Sequence, residues 1–405
     1  MNKAVAEPEN ATALPITRPA PLWLLALLTL SGTLGMHIFA PALSSAARSF
    51  NVGAGAMQAA ISFYILGLAA GQLIYGPLSD RFGRRPMMMI GLALYTCAGV
   101  AAALAPSVHG LVAARLVQAL GGSAGLALGR AMVRDSAGPL DSARRLALLN
   151  LMMTLGPGLA PALGGALVST AGWRSILWLL AALGAALLLT SWRLLPETAG
   201  RNANANFGEL GRNYRALLAS PAFLGFSIGG GCATTSMYAF IASSPFILID
   251  ELRRPSYEVG LYLAVLIGGV WLGNALASRL VMRIAVRRLM VLGNLVSVVA
   301  ALAFLAAVLS GHLSVPTAIA PMFLYTLGAG MASPMALTEA VSVNPHVVGA
   351  ASGLYGATQM AIGALCTALA AVGQAPALST AWVLAGAGVV AQAAFWWALA
   401  HRRRA

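Results

Sequence analysis

The chain has 405 residues, of which 59% are hydrophobic and only 9% charged, against roughly a quarter charged in soluble domains; this composition excludes a water-soluble fold. Its formal charge of +14 is scattered in small clusters between apolar stretches, which argues against a nucleic-acid surface. Lys3 is the only lysine, so there is no Gly-Lys-Ser/Thr loop to hold nucleotide phosphates. The five histidines and three cysteines offer neither an HExxH pair nor any metal or disulfide spacing. No enzyme chemistry, metal or cofactor is expected.

Residues 1–20, with Lys3 ahead of Glu7 and Glu9 and several prolines, lack the basic-then-apolar order of a signal peptide and are expected to form a short disordered cytoplasmic lead. Twelve apolar blocks follow, near 21–43, 57–78, 86–105, 109–131, 145–168, 173–192, 221–248, 257–279, 287–309, 314–337, 347–371 and 378–400. Each has the length that crosses a hydrocarbon core of about 30 Å. The one long polar connection, 193–220, follows the sixth block. It divides the chain into an N-terminal half at 21–192 and a C-terminal half at 221–400, with 401–405 as a tail. Gly71, Arg81 and Arg85 recur with the same spacing as Gly273, Arg283 and Arg287, as in transporters built from repeated halves that hold substrate between them; chance recurrence at loop ends is the competing explanation. With the N-terminus inside, nineteen basic residues fall on the inner side and four, Arg48, Arg174, Arg253 and Arg254, outside. Both termini are therefore expected in the cytoplasm.

Between the second and third spans, Gly76-Pro-Leu-Ser-Asp80-Arg81-Phe-Gly83-Arg84-Arg85-Pro86 reads as a tight inner turn. Gly76 and Pro77 end one helix, Gly83 lets the chain reverse, and Pro86 suits the first turn of the next. Arg81, Arg84 and Arg85 hold the turn inside, but Asp80 is costly at a membrane edge unless something positive receives it. The start of the eleventh span offers a receiver, with Asn344 as N-cap and Pro345 as a first-turn proline. Asp80 is thus expected to latch the halves when the inner side closes; a plain solvated turn is the alternative.

In the fourth span Arg115 lies several residues inside an apolar helix, where a guanidinium costs a few kcal/mol and needs a cavity or a partner. Gln118, less than one turn on, can share its polar cluster; snorkelling to headgroups is the alternative. In the fifth span Gly156, Ala160 and Gly164, with Pro157 and Pro161 beside them, give a face with no side chain larger than a methyl. Gly269, Gly273 and Ala277 give the eighth span a similar face, and the two are expected to meet across the halves as a seal. Gly229, Gly230 and Gly231 would let the seventh span bend.

The inner turn resembles the signature loop of the major facilitator superfamily. Arg115-Leu-Val-Gln118-Ala-Leu-Gly121-Gly122, Gly156-Pro157-Gly158-Leu-Ala160-Pro161-Ala-Leu-Gly164-Gly165, Ser243-Ser244-Pro245-Phe246 and Gly349-Ala-Ala-Ser352-Gly353 extend the likeness along the chain to the Bcr/CflA branch of twelve-span drug/proton antiporters. Ala160 stands where that pattern usually has Gly, and His37 where it has Asp. The resemblance implies an all-α polytopic membrane protein of the major facilitator type, two six-helix halves around a central cavity, acting as a monomer in the inner membrane. It implies export of small amphipathic organic molecules in exchange for protons, by alternating access. It nominates His37, Phe39, Arg115, Gln118, Tyr238, Tyr325 and Met331, from the first, fourth, seventh and tenth spans, as substrate or proton pathway. His37, at a depth similar to Arg115, becomes the proton carrier in place of the missing acid, with a permanently neutral histidine as the alternative. An importer or uniporter of a small metabolite would share the fold, and a non-transporting membrane receptor is the third possibility.

Overall fold

A bilayer offers backbone groups no water, so a spanning segment must satisfy its hydrogen bonds internally. The computed structural model describes residues 20–135, 139–198, 207–344 and 347–402, and all regular structure among them is helical. The first span is broken: α1 (Leu22–His37) stops, a 3-10 turn over Ala40–Ala42 carries Pro41, and α2 (Leu43–Phe50) follows. Next come α3 (Ala54–Phe82), α4 (Arg84–Ala103), α5 (Val108–Asp135), α6 (Pro139–Ala171) and α7 (Arg174–Leu194). After the short helix α8 (Phe207–Leu218), the seventh span is also broken, into α9 (Pro221–Thr234) and α10 (Met237–Pro245), which runs on as a π-helix over Phe246–Glu251. The chain ends with α11 (Ser256–Leu280), α12 (Val286–Leu309), α13 (Val315–Val341), α14 (Val348–Ala370) and α15 (Pro376–Arg402). Among the described residues, 11 segments are long and apolar enough to span, and α6 adds the shorter apolar stretch Gly158–Ala171.

Large apolar side chains such as Trp178, Leu189, Trp192, Leu302 and Trp396 lie on the outside of the bundle, where lipid, not water, is the solvent. In the N-terminal half α5 packs against α1, α3 and α4; in the C-terminal half α13 packs against α9, α11 and α12. The halves meet where α6 packs on α11 and α14 on α3.

The apolar core is asymmetric along the bundle. At the face away from the chain termini, one continuous cluster joins the halves, with Met36, Tyr64 and Ile65 in the same body as Tyr238, Phe246 and Leu263. Toward the face where α1 begins and α15 ends, the core separates. One cluster around Leu24, Met88 and Leu128 belongs to the first half, and another around Phe223, Met290 and Phe395 to the second, with Leu73 of α3 packed at its edge. The halves therefore close together at the far face and part toward the terminus-bearing face.

Two local expectations are corrected. The helix does not end at Gly76-Pro77: α3 carries Pro77 inside it and runs to Phe82, and only Gly83, at φ 101°, makes the turn. The Ser79 hydroxyl, donating to the Gly76 carbonyl at 2.8 Å, and the Asp80–Arg84 pair hold the last turn despite the proline. Likewise α14 has Val347 at its N-cap, with no side-chain capping hydrogen bond, and not Asn344; Pro345 lies outside the described residues.

The fifth and eighth spans do pack together, but not through the expected faces. Gly260 of α11 lies against the Pro161 carbonyl, Gly165 against Ser256 and Tyr257, and Gly158 against Trp271 and Ile267. Gly269 and Gly273 instead admit α13, at Phe323, Thr326 and Leu327, while Gly164 admits the first span at Ile38. Ala160 is buried; Gly156 and Pro157 lie on α6, their surroundings outside the described side chains. A four-residue spacing identifies a small face but not the neighbour that receives it.

Candidate functional site

Between the halves lies a cavity of about 480 Å³, reached by Thr33 and His37 of the first span, Gln72 of α3, Leu126 and Arg130 of α5, Met237 and Tyr238 at the seventh-span break, and by α11, α13 and α14. The break is built by hydroxyls. Thr235 Oγ1 donates to the Gly231 carbonyl at 2.8 Å or to that of Gln359 at 2.7 Å, and Ser236 Oγ donates to Cys232 at 2.5 Å. Gln359 Nε2 reaches Thr234 Oγ1 at 2.9 Å and the Tyr355 hydroxyl at 3.2 Å. The three glycines before the break are packing positions: added side chains there would strike Phe395, Tyr355 and Ile362.

Of the seven nominated pathway residues, His37 and Tyr238 line this cavity. His37 ends α1 with Nδ1 buried and without a hydrogen-bond partner, its ring edge-on to Tyr238 at 6.1 Å between centroids. Tyr325 is fully buried, its hydroxyl 2.5 Å from Ser236 Oγ, and Met331 packs toward Gly293 of α12. The tenth span turns Ser333, Pro334 and Leu337 to the cavity instead. At about 100° per residue, Met331 stands some 200° around the helix from Ser333; both faces are apolar enough to hide the difference in sequence.

Arg115, Gln118 and Phe39 form a separate, fully buried cluster behind the cavity wall. Arg115 Nη1 donates to Gln118 Oε1 at 2.7 Å and Nη2 to the Gly35 carbonyl at 2.6 Å. Its guanidinium lies 3.9 Å from the Tyr64 ring centroid and 4.9 Å from that of Phe39. The Gly35 carbonyl belongs to the last turn of α1, where carbonyls lack intrahelical partners and carry the negative end of the helix dipole. Arg115 therefore caps the break in the first span; it does not snorkel.

The signature loop is a network centred on Arg84. This side chain reaches Asp80 at 2.5 Å, Asp135 at 2.9 Å and Ser79 Oγ at 2.5 Å. Glu197, after α7, accepts from the backbone N–H groups of Arg84 and Arg85 at 2.8 and 3.2 Å, placing a carboxylate at the positive start of α4. Arg85 donates to the Trp192 carbonyl at 2.7 Å, and Arg81 stacks over Phe82. Gly76 has open space beside it. The second half has a counterpart: Arg287 pairs with Glu339 at 3.3 Å, and Arg402 joins the same carboxylate.

At the far face the halves are held by polar contacts that sequence inspection missed. Arg48 Nη1 meets Asp250 Oδ1 at 3.0 Å, Ser44 Oγ donates to Asp250 at 2.9 Å, and Gln58 Nε2 donates to Ser243 Oγ at 3.0 Å. Gly55 sits directly against the Ala371 carbonyl. The partners lie 202, 206 and 185 residues apart, so no local pattern could announce them.

Among the described residues, no acid lines the cavity. Glu7 and Glu9 precede the first span and Glu209 lies in α8; Asp80, Asp135, Asp141, Glu197 and Glu339 stand at or beyond helix ends on the terminus-bearing side; Asp250, Glu251 and Glu258 stand at the far face. Arg130 is the formal charge among the described lining residues, and no ion pair to it is formed there.

A cavity held between two helical halves that meet at one face and part toward the other is the architecture of a membrane transporter. The model of the Major Facilitator Superfamily matches residues 25–368, and the chain belongs to that superfamily. It is 31% identical over 341 residues to Multidrug resistance protein D of Escherichia coli (strain K12), covering 84% of this chain and 85% of the relative. It is 27% identical over 390 residues to an uncharacterized MFS-type transporter, YdgK, of Bacillus subtilis (strain 168), covering 93% and 95%. Among solved structures, a D-xylose-proton symporter superposes with a TM-score of 0.73 at 15% identity, over 93% of this chain and 96% of that one, a likeness of fold.

Proposed function

We propose that this protein exports small amphipathic organic molecules by proton antiport and alternating access, as a monomer in the inner membrane with both termini cytoplasmic. Halves at 21–192 and 221–400 rock about the cavity, and the linker 193–220 joins them. The observation that carries the reading is the asymmetry of the closure: a continuous core and polar bridges at one face, separate cores at the other. On the proposed topology the cavity opens to the cytoplasm, where an exporter loads. Similarity to a protein named for multidrug resistance supports the substrate class. Asp80, paired with Arg84 in this state, would trade that partner for the start of α14 when the inner side closes. His37 is the assigned proton carrier, since it faces the cavity with a ring nitrogen unpartnered. Uniport is the second reading, favoured by the lack of an acid among the described lining residues.

The test is efflux of candidate compounds from energised and uncoupled cells, overexpressing or lacking the gene. Overexpression is expected to lower cell content at least two-fold, and only when cells are energised; a rise in content would make the protein an importer. His37→Gln is expected to abolish dependence on a pH gradient and His37→Asp to restore part of it. Full gradient-driven efflux by His37→Gln would remove His37 from the coupling step.

A further inference from the structure

A cavity wall announces its ligand's charge by what it carries and by what it lacks. Among the described lining residues the one fixed cation is Arg130, on the terminus-bearing side of α5. Arg130 is exposed to the cavity and forms no ion pair among the described residues. Arg134 stands one turn further along the same helix, and like charges at this spacing repel, so an anion at Arg130 relieves that repulsion. Arg115 behind the wall is a third cation, itself fully buried, with carbonyl, amide and aromatic partners but no carboxylate. No acid is among the described lining residues of the cavity.

The rest of the wall suits a flat or branched apolar body. Met237, Tyr238, Trp271 and Met360 provide adaptable thioethers and broad aromatic faces, and Gln72 and Asn274 add neutral hydrogen-bonding groups. A cationic amphiphile entering this site would find π-faces but no countercharge, and would meet Arg130 at like sign. An anionic one finds a guanidinium, the side chain best shaped to bind a carboxylate or similar oxyanion through two parallel hydrogen bonds.

We propose that the cavity selects amphipathic organic anions, binding the acidic group at Arg130 and the apolar body along the Met and aromatic side chains. The proposal rests on the cavity being the substrate site.

The experiment is equilibrium dialysis of the purified full chain against three matched probes: 2-naphthoate, neutral 2-naphthamide and cationic 2-naphthamidine. Naphthoate is expected to bind at least tenfold more tightly than naphthamidine, with the gap narrowing as salt rises. Arg130→Gln is expected to bring the two within about threefold while leaving naphthamide within twofold of its native affinity; Arg130→Lys is expected to keep most of the preference. The proposal is overturned if naphthamidine binds as tightly as naphthoate, if Arg130→Gln leaves the preference intact, or if none of the three saturates the protein. Naphthamide binding without charge preference would end the anion proposal yet leave export standing. Failure of the efflux assay with the preference intact would do the reverse.

Discussion

Arg115 shows how a residue that looks functional in sequence can earn its place through backbone chemistry. The first span has to break so that His37 and the residues after it can turn, and the break leaves helix carbonyls unpaired inside the membrane. A cation at such a helix end contributes up to about 2 kcal/mol when partly buried, and stacking on Tyr64 and Phe39 adds about 1–2 kcal/mol. Arg115→Gln is therefore expected to destabilise the protein by about 2–3 kcal/mol, read as a lower thermal midpoint in detergent. Arg115→Lys should recover less than half, because an ammonium cannot bond Gln118 and Gly35 while lying flat on the Tyr64 ring. A native-like midpoint for Arg115→Gln would show that the cluster does not hold the break.

Among the elements, the far-face closure has the properties of a gate because its parts are individually weak. Arg48 and Asp250 are 58% and 44% exposed, and such a pair contributes at most about 1 kcal/mol. The Gln58–Ser243 hydrogen bond adds about 1 kcal/mol. Asp250→Asn should shift the population toward far-face opening by about two- to five-fold, the equivalent of roughly 0.5–1 kcal/mol. Gly55→Val should shift it further, since its side chain would enter the space of the Ala371 carbonyl. The measure is labelling of Met237→Cys, in a cysteine-free background, by an impermeant maleimide added outside cells; unchanged labelling in both variants would refute the gate. Arg48, which orientation rules treat as one of a few stray outer charges, is a working part of that closure.

What was legible in the sequence follows from what each pattern encodes. Span lengths and polar breaks follow from bilayer thickness, so the helices lie where the apolar blocks do. The rotation of a helix about its axis is not encoded in this way when lipid-facing and core-facing sides are both apolar. That is why the sequence nominates Met331 where the cavity receives Ser333, and pairs the small face at Gly269 and Gly273 with the fifth span where it receives α13. Arg130 gives a weaker signal, a guanidinium late in an apolar span, which span counting and loop motifs alone do not single out. Glu197, the carboxylate at the start of α4, is invisible until α7 folds back beside it.

At the scale of the whole molecule, the excess of basic residues at the terminus-bearing face makes a direct demand on topology. Reporter fusions at Gly208 should signal cytoplasm and fusions at Arg253 the opposite compartment; an external signal from Gly208 would invert the assignment of the open face. That assignment gives the unpaired cation in the cavity wall an electrical meaning. On the proposed topology Arg130 sits in water continuous with the cytoplasm, and turning the empty cavity outward carries its charge through part of the membrane field. An elementary charge crossing the full field costs about 2.3 kcal/mol per 100 mV, so a negative interior holds the unloaded carrier facing inward. An anion seated on Arg130 cancels that charge and releases the brake. After discharge, voltage pulls the emptied site back, so the membrane potential itself favours cycles that begin with cargo.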